Sequence, residues 1–220
     1  MYSIRELEKE QLLTIYRENI DKHFPKDEIK PLKKIEHMWD MGIYYGLAMY
    51  DMSKSKEEKV NEEKEDLCKE IDIQIQKKEF NKEQTNLIGY AFFIKDLESN
   101  LILLDYFAII EEYRAKGMGS AFLQEMKKFV NSYRAILLET EDVDKARTVE
   151  EAELRKKRDC FYERNGVRKT DVRSEVYGVH YAIWNYPVKE EVSFLECRES
   201  IKRIYKAIVS EEKYKKFIRI

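Results

Sequence analysis

The chain has 220 residues, 43% apolar and 38% charged, which suits one generous domain, or one domain with an appendage, around a sizeable core. Lys+Arg number 41 and Asp+Glu 43, and the resulting net charge of −2 offers no general pull toward nucleic acid or an anionic membrane. The three cysteines (Cys68, Cys160 and Cys197) are too scattered for a disulfide framework or a zinc site and read as reduced buried thiols, while the absence of a signal-like start or a long apolar run predicts a cytoplasmic protein.

Tyr2–Leu7 reads as a short strand. Leu12, Leu13, Tyr16 and Ile20 recur at helical spacing over Glu8–Ile20, Phe24-Pro25 interrupts, and Ile29, Leu32, Ile35 and Met38 mark a second helix that Gly42 ends. Ile43–Tyr50 and Leu87–Ile94 read as strands. Between them Asp51–Thr85 is crowded with Lys and Glu, the pattern of a solvated helical excursion or mobile loop. Within it Glu57–Ile71 looks helical, and Ile71, Ile73 and Ile75 alternate as a strand would. Leu101–Ile110 is apolar almost throughout and predicts a central strand covered on both faces.

Gly117–Ser132 follows as a helix with Phe122, Met126, Phe129 and Val130 on one face, then Ala135–Glu139 as another buried strand. Thr148–Asn165 is a helix opened by the capping pattern of Thr148 and Glu151 and stopped by Asn165-Gly166. Tyr177–Trp184 alternates as a strand, closed by Pro187. The tail, Glu190–Ile218, predicts one or two helices with Phe194, Cys197, Ile201, Ile204, Tyr205 and Ile208 on one face, a stripe that would also suit a homodimer. The order β-αα-βββ-α-β-α-β-α implies antiparallel hairpins followed by a parallel pair joined through a crossover helix. The fold class is therefore α/β, a mixed sheet flanked by helices. The expected organisation is one domain over 1–187 with a charged insertion at 51–85, and a helical extension over 188–220.

The chemistry concentrates where Leu101–Ile110 gives way to the next helix, in EEYRAKGMGSAF. Two glycines allow unusual φ angles and close backbone approach. The first N–H groups of a helix are unpaired, its dipole adds positive character, and Arg114 and Lys116 add full charges. Together these form an anion cradle suited to a pyrophosphate, although an ordinary Gly-containing turn would use the same residues. Neither GxxxxGK[ST] nor GxGxxG is present.

The pattern [RQ]xxGxG[SA] between an apolar strand and an amphipathic helix resembles the acetyl-CoA signature of the GCN5-related N-acetyltransferases (GNAT). The run from Tyr106 through YRAKGMGSAFL is similar to that family over its whole length, and CFYERNGV (Cys160–Val167) resembles its FYxxxGF element, with Val167 in place of the usual Phe. The resemblance covers about Tyr2–Pro187. It implies that the signature strand splays from Ala135–Glu139 and opens a slot for the pantetheine of acetyl-CoA. Backbone groups of Phe107, Ala108 and Ile109 would pair with that arm as an added strand does, and one of their N–H groups would hold the acetyl oxygen as charge builds. The amides of Arg114, Ala115, Lys116, Gly117, Met118, Gly119 and Ser120 would take the pyrophosphate.

The resemblance also implies acetyl transfer straight to a primary amine with no covalent enzyme intermediate. No cysteine lies near His23, His37 or His180 in sequence, though folding can bring a Cys–His pair together. Tyr162 matches the family's tyrosine and is the candidate acid for the departing thiolate; the alternative is a core aromatic, with Phe161 facing elsewhere. The base stays open among Asp105, an expensive carboxylate in an apolar strand, Glu139 and Glu141, which share one strand face, and a water relay. Structural ion pairing is the alternative for Asp105, a solvated turn for Glu141. Acidic residues of the first two helices (Glu18, Asp21, Asp27, Glu28, Glu36, Asp40) and the aromatics Tyr44, Tyr45, Tyr177, Tyr181 and Trp184 would suit a small cationic amine, or equally form a charged surface over an aromatic core. A protein or peptide N-acetyltransferase, or a non-catalytic CoA-binding module, remain as alternatives. No metal, nucleic acid or membrane partner is expected.

Overall fold

The computed structural model describes residues 1–53 and 86–220, so the predicted helix and strand within 57–75, and Cys68, lie outside the described residues. The first strand, β1 (Tyr2–Glu6), leads into α1 (Lys9–His23), whose N-terminus is closed by a reciprocal capping box between Glu8 and Gln11. The second helix is α2 (Leu32–Asp40). Strands β2 (Tyr44–Asp51), β3 (Leu87–Asp96) and β4 (Leu101–Ile109) follow, then α3 (Met118–Phe129), β5 (Ala135–Glu141) and α4 (Val149–Arg164). A hairpin of β6 (Arg168–Val176) and β7 (Val179–Pro187) precedes α5 (Phe194–Ile208), α6 (Glu211–Phe217) and the two-residue β8 (Ile218–Arg219).

The strands form one sheet in the order β1-β2-β3-β4-β5-β7-β6-β8. As the sequence implies, β2, β3 and β4 are antiparallel and β4 runs parallel to β5 through the crossover helix α3. Each face of the sheet carries its own apolar layer. Helices α1, α2 and α5 cover one, through residues such as Leu12, Tyr16, Ile35, Met38, Ile201 and Ile204. Helices α3 and α4 cover the other, through Phe122, Leu123, Met126 and Tyr162. Gly89 of β3 is required by close approach, because a Cβ there would lie 2.6 Å from the Ala108 carbonyl oxygen.

Several sequence expectations need correction. Strand β6 was not anticipated, and Tyr177 lies not in a strand but in the hairpin turn, at φ 50° beside Gly178 at φ 84°. Both left-handed residues suit a tight hairpin connection. Cys160 is exposed rather than buried, and Phe194 is 61% exposed instead of joining the apolar face of its helix. The tail is helical as expected. Residues 188–220 share the core of the preceding part, however: Cys197, Ile201, Ile204 and Tyr205 are buried in the α1/α2 layer, and β8 pairs with β6. Arg203 also clamps the nearly buried Asp96 at the end of β3, with contacts of 2.7 to 3.1 Å.

Two irregularities in β4 shape the space beside it. Its register with β3 runs from Leu104 opposite Phe93 directly to Tyr106 opposite Phe92, leaving Asp105 as a bulge residue. Asp105 and Tyr106 therefore both face the α1/α2 side, where strict alternation would separate them. Pairing with β5 covers only Ile102–Leu104 against Ile136–Leu138. Beyond it β4 stays on β3 as far as Ile109, and β5 stays on β7 as far as Glu141, so the two strands part.

Candidate active site

The gap between β4 and β5 opens into a cavity of about 1000 Å³. Phe107 and Ile109 line one lip and Leu138, Glu139 and Glu141 the other; Arg114, Ala115, Gly117, Gly119 and Ser120 sit at one end. Ile110 donates its N–H to Ile88, so alternation directs the amides of Ala108 and Tyr106 toward β3 and those of Phe107 and Ile109 toward the gap. Ala108 thus lies on the predicted strand, but its backbone bonds are spent on the sheet. The side chain of Arg114 donates Nε–H to the Ile109 carbonyl at 2.9 Å, tying the loop to the strand end.

The predicted anion cradle is a strand, a 3-10 turn (Glu111–Tyr113) and the start of α3. Gly117 is the N-cap residue at φ 78°, a left-handed value that lets the chain turn sharply into the helix. The first i→i−4 bond of the helix is donated by Ala121 to Gly117, which leaves the N–H groups of Gly117, Met118, Gly119 and Ser120 unspent by the helix. Arg114 differs from the expectation for it: its N–H is donated to Glu111 at 3.1 Å, so its guanidinium rather than its amide is the group available. Gly119 lies 3.3 Å, measured from an added Cβ, from the Phe161 ring, so the backbone there sits directly under an aromatic wall of the cavity.

Tyr162 projects from α4 into the same cavity, against Trp184 at 6.2 Å between ring centroids. Burial pushes its hydroxyl up to about 12, so it stays protonated at neutral pH. Its hydroxyl hydrogen-bonds none of the described residues, which leaves the proton free for a ligand. Phe161 and Tyr162 both line the cavity, so the expected division into one core and one slot aromatic does not hold.

The structure also places the carboxylates. Asp105 receives Lys30 Nζ at 2.5 Å and the Tyr44 hydroxyl at 2.8 Å, the ion-paired alternative weighed for it. Glu139 accepts from the Tyr205 hydroxyl at 2.7 Å and Ser174 at 3.0 Å; burial raises its pKa against those bonds and Lys30. Glu141 is held by Arg155 at 2.7 Å and Arg158 at 3.3 Å rather than lying in a solvated turn. Neither described cysteine lines the cavity; His23 does, donating to or accepting from Tyr90 at 2.9 Å. Among the described residues no cluster could hold a metal ion, and no helix is long and apolar enough to cross a membrane.

Lys30, Tyr205 and Arg158 were not anticipated as site residues, Glu28 only as one acid among many, and Tyr181 only as one aromatic among several. Glu28 and Lys30 occupy the irregular link between α1 and α2, and Tyr205 lies on the tail helix, where its apolar spacing pointed only to core. A smaller cavity of about 450 Å³ adjoins the first, sharing Pro25, Glu28 and Glu141 with it.

No family model matches this chain, and no curated protein matches it. Solved structures do. A putative GNAT-family acetyltransferase from Bacteroides thetaiotaomicron has a TM-score of 0.61 at 17% identity, over 90% of this chain and 93% of that one. The ribosomal-protein-S18-alanine N-acetyltransferase from Escherichia coli has a TM-score of 0.52 at 14% identity, over 88% and 97%. A spermidine N-acetyltransferase from Vibrio cholerae, in complex with CoA and spermine, has a TM-score of 0.51 at 12% identity, over 86% and 96%. The parted β4 and β5, the bulge at Asp105 and the glycine-started α3 are arranged in the fold of the GCN5-related N-acetyltransferases.

Proposed function

We propose that this protein is an N-acetyltransferase that moves an acetyl group from acetyl-CoA directly to a primary amine of a small cationic molecule. One observation carries the reading: a single cavity joins unspent strand amides on β4, a left-handed glycine start to α3, and an unbonded protonated tyrosine hydroxyl. A neighbour of this fold holds CoA and spermine, which supports both the cofactor and the amine.

When bound, acetyl-CoA supplies an acetyl group activated as a thioester. The Phe107 and Ile109 amides and the Phe107 carbonyl would hold the pantetheine arm along β4. The amides of Ala115 to Ser120, with Arg114 and Lys116, would hold the pyrophosphate at the start of α3. Tyr162 would give its hydroxyl proton to the departing sulfur. Asp105 is neutralised by Lys30, whereas Glu139 on the other lip is bonded, among the described residues, only by hydroxyls and would favour a cationic group on the acceptor.

The test has two parts. Thermal stability is measured with acetyl-CoA, NAD and ATP, and only acetyl-CoA is expected to stabilise. Thiol release from acetyl-CoA is then followed against a panel of primary amines. Stabilisation by all three nucleotides alike, or by none, would refute the cofactor assignment.

A further inference from the structure

Transfer to an amine requires a receiver for the nitrogen's proton, and most carboxylates of the cavity are committed to the protein's own donors. Asp105 gives its oxygens to Lys30 and Tyr44, Glu139 to Tyr205 and Ser174, and Glu141 to Arg155 and Arg158. Glu28 differs. Its carboxylate hydrogen-bonds none of the described residues, and it lines both the main cavity and the smaller one beside it.

On the basis of the proposed acetyl transfer, we propose that Glu28 is the general base of the reaction, the group that takes the proton from the acceptor's amine. The N–C bond forms as the C–S bond breaks; the nitrogen's proton passes to a Glu28 oxygen and the sulfur takes one from Tyr162 Oη. Glu28 then releases its proton to solvent and Tyr162 regains one.

The bulge in β4 gives this assignment its geometry. Because Asp105 and Tyr106 face the same way, both can grip the link that carries Glu28. The Tyr106 hydroxyl donates to the Glu28 carbonyl at 2.8 Å and receives the Lys30 N–H at 2.9 Å. Lys30 Nζ reaches Asp105, the Tyr16 hydroxyl donates to the Lys30 carbonyl, and the Phe24 ring meets Tyr106 edge-on at 4.9 Å. A residue in an otherwise irregular link is thereby fixed at both flanks, as a catalytic group must be.

Its electrostatic surroundings agree. Burial, and then the charge of Glu141, push the Glu28 carboxyl up to about 7, with Asp27 adding to the rise and Arg158 and Lys30 opposing it. Tyr181 from β7 faces the same group, and Arg155 and His180 line the adjoining cavity. A base that titrates near neutrality combines availability with driving force.

The experiment compares the wild type with Glu28→Gln and Glu28→Asp in thiol release from acetyl-CoA, from pH 5.5 to 9. The probe acceptors are propylamine, 1,4-diaminobutane and spermine at saturation. Acetyl-CoA-induced thermal shifts, recorded for every variant, test the cofactor assignment separately. The expected result for Glu28→Gln is a fall in kcat of about 10²-fold or more, an unchanged thermal shift, and loss of the acidic limb of the rate profile, with Glu28→Asp restoring that limb. The proposal is overturned if Glu28→Gln keeps its kcat, if its rate falls while the limb persists, if Glu28→Asp fails to restore it, or if the folded wild type binds acetyl-CoA but turns over none of the three amines. A wild type that shows no shift with acetyl-CoA refutes the proposed function instead.

Discussion

Gly117 and Gly119 stand two residues apart at the start of α3, yet the structure assigns them opposite costs on replacement by alanine. Gly117 sits at φ 78° with open space around the position of a Cβ, so Gly117→Ala meets no neighbour but forces a left-handed backbone on an L-residue. That conformation costs about 1–2 kcal/mol, which for a chain of this size lowers Tm by about 2–8 °C. Gly119 is helical, and its added Cβ would lie 3.3 Å from Phe161 and 3.6 Å from Ile109, a contact that a ring shift of a few tenths of an ångström relieves. Removing a glycine from the helix contributes up to about 1 kcal/mol in its favour, so Gly119→Ala is expected to leave Tm within about 2 °C of the wild type. The methyl group nevertheless stands beside the amides proposed to meet the pyrophosphate.

A tenfold loss of acetyl-CoA affinity removes about 1.4 kcal/mol of ligand stabilisation at saturating ligand, so the acetyl-CoA-induced shift of Gly119→Ala should shrink by about 3–6 °C. Scanning fluorimetry of both variants across an acetyl-CoA titration measures both effects. If Gly119→Ala keeps the full ligand shift, the phosphates do not approach that helix start. If Gly117→Ala is as stable as the wild type, the assignment of its turn is wrong.

Tyr162→Phe should lower kcat by about 10²-fold in the thiol-release assay while the acetyl-CoA thermal shift is unchanged; an equal rate would remove the tyrosine from the proton path. Arg203→Met leaves the Asp96 carboxylate buried without its main partner, and chemical denaturation at pH 7 should show a loss of about 3 kcal/mol. Burial raises the Asp96 pKa, but Arg203 and Ser99 outweigh it and the net shift is downward. The pair's stabilisation is therefore present above the ordinary aspartate pKa and is lost as pH falls through the lower folded value, so the wild-type advantage over Arg203→Met should narrow in acid. Glu28→Gln has the opposite sign. A carboxyl raised from 4.5 to about 7 binds more protons folded than unfolded, and the wild type loses stability as pH climbs through that interval. The variant should match the wild type near pH 4 and exceed it by about 3 kcal/mol at pH 8, as read from denaturation midpoints; equal midpoints at pH 8 would mean that Glu28 is not electrostatically strained.

The parts of the fold legible in the sequence are those in which one short segment carries its own signal. Leu101–Ile109 is apolar on both faces because both faces are covered, and Thr148 caps α4 through the Glu151 N–H at 3.2 Å, as its spacing implied. Strand β6 escaped detection because only Val172 and Ser174 of its nine residues are buried, so Arg, Lys and Asp dominate its pattern. The glycine signature pointed, without any tertiary information, to the end of the cavity proposed to hold the pyrophosphate, since its physics is local. The end proposed to receive the acceptor had no such signal. Glu28, Glu139, Tyr181 and Tyr205 come from four separate elements and meet only in the folded chain. Tyr205, at helical spacing with Ile201 and Ile204, is indistinguishable in sequence from a core aromatic, although its hydroxyl bonds Glu139.

Much of the site stems from the single extra residue in β4. Asp105 is an unfavourable occupant of a strand interior unless compensated, and the compensation comes from Lys30 in the link between α1 and α2. By displacing the alternation, the same residue turns Tyr106 onto that face, where its hydroxyl takes the N–H of Lys30 and donates to the carbonyl of Glu28. Beyond the bulge, β4 no longer matches β5, and the Phe107 and Ile109 amides are left for a guest. One irregularity therefore opens the β4 lip of the cavity on one side of the strand and anchors the link between α1 and α2 on the other. Deleting Asp105 would remove both together, whereas Asp105→Asn would keep the bulge and weaken only the side-chain bonds with Lys30 and Tyr44.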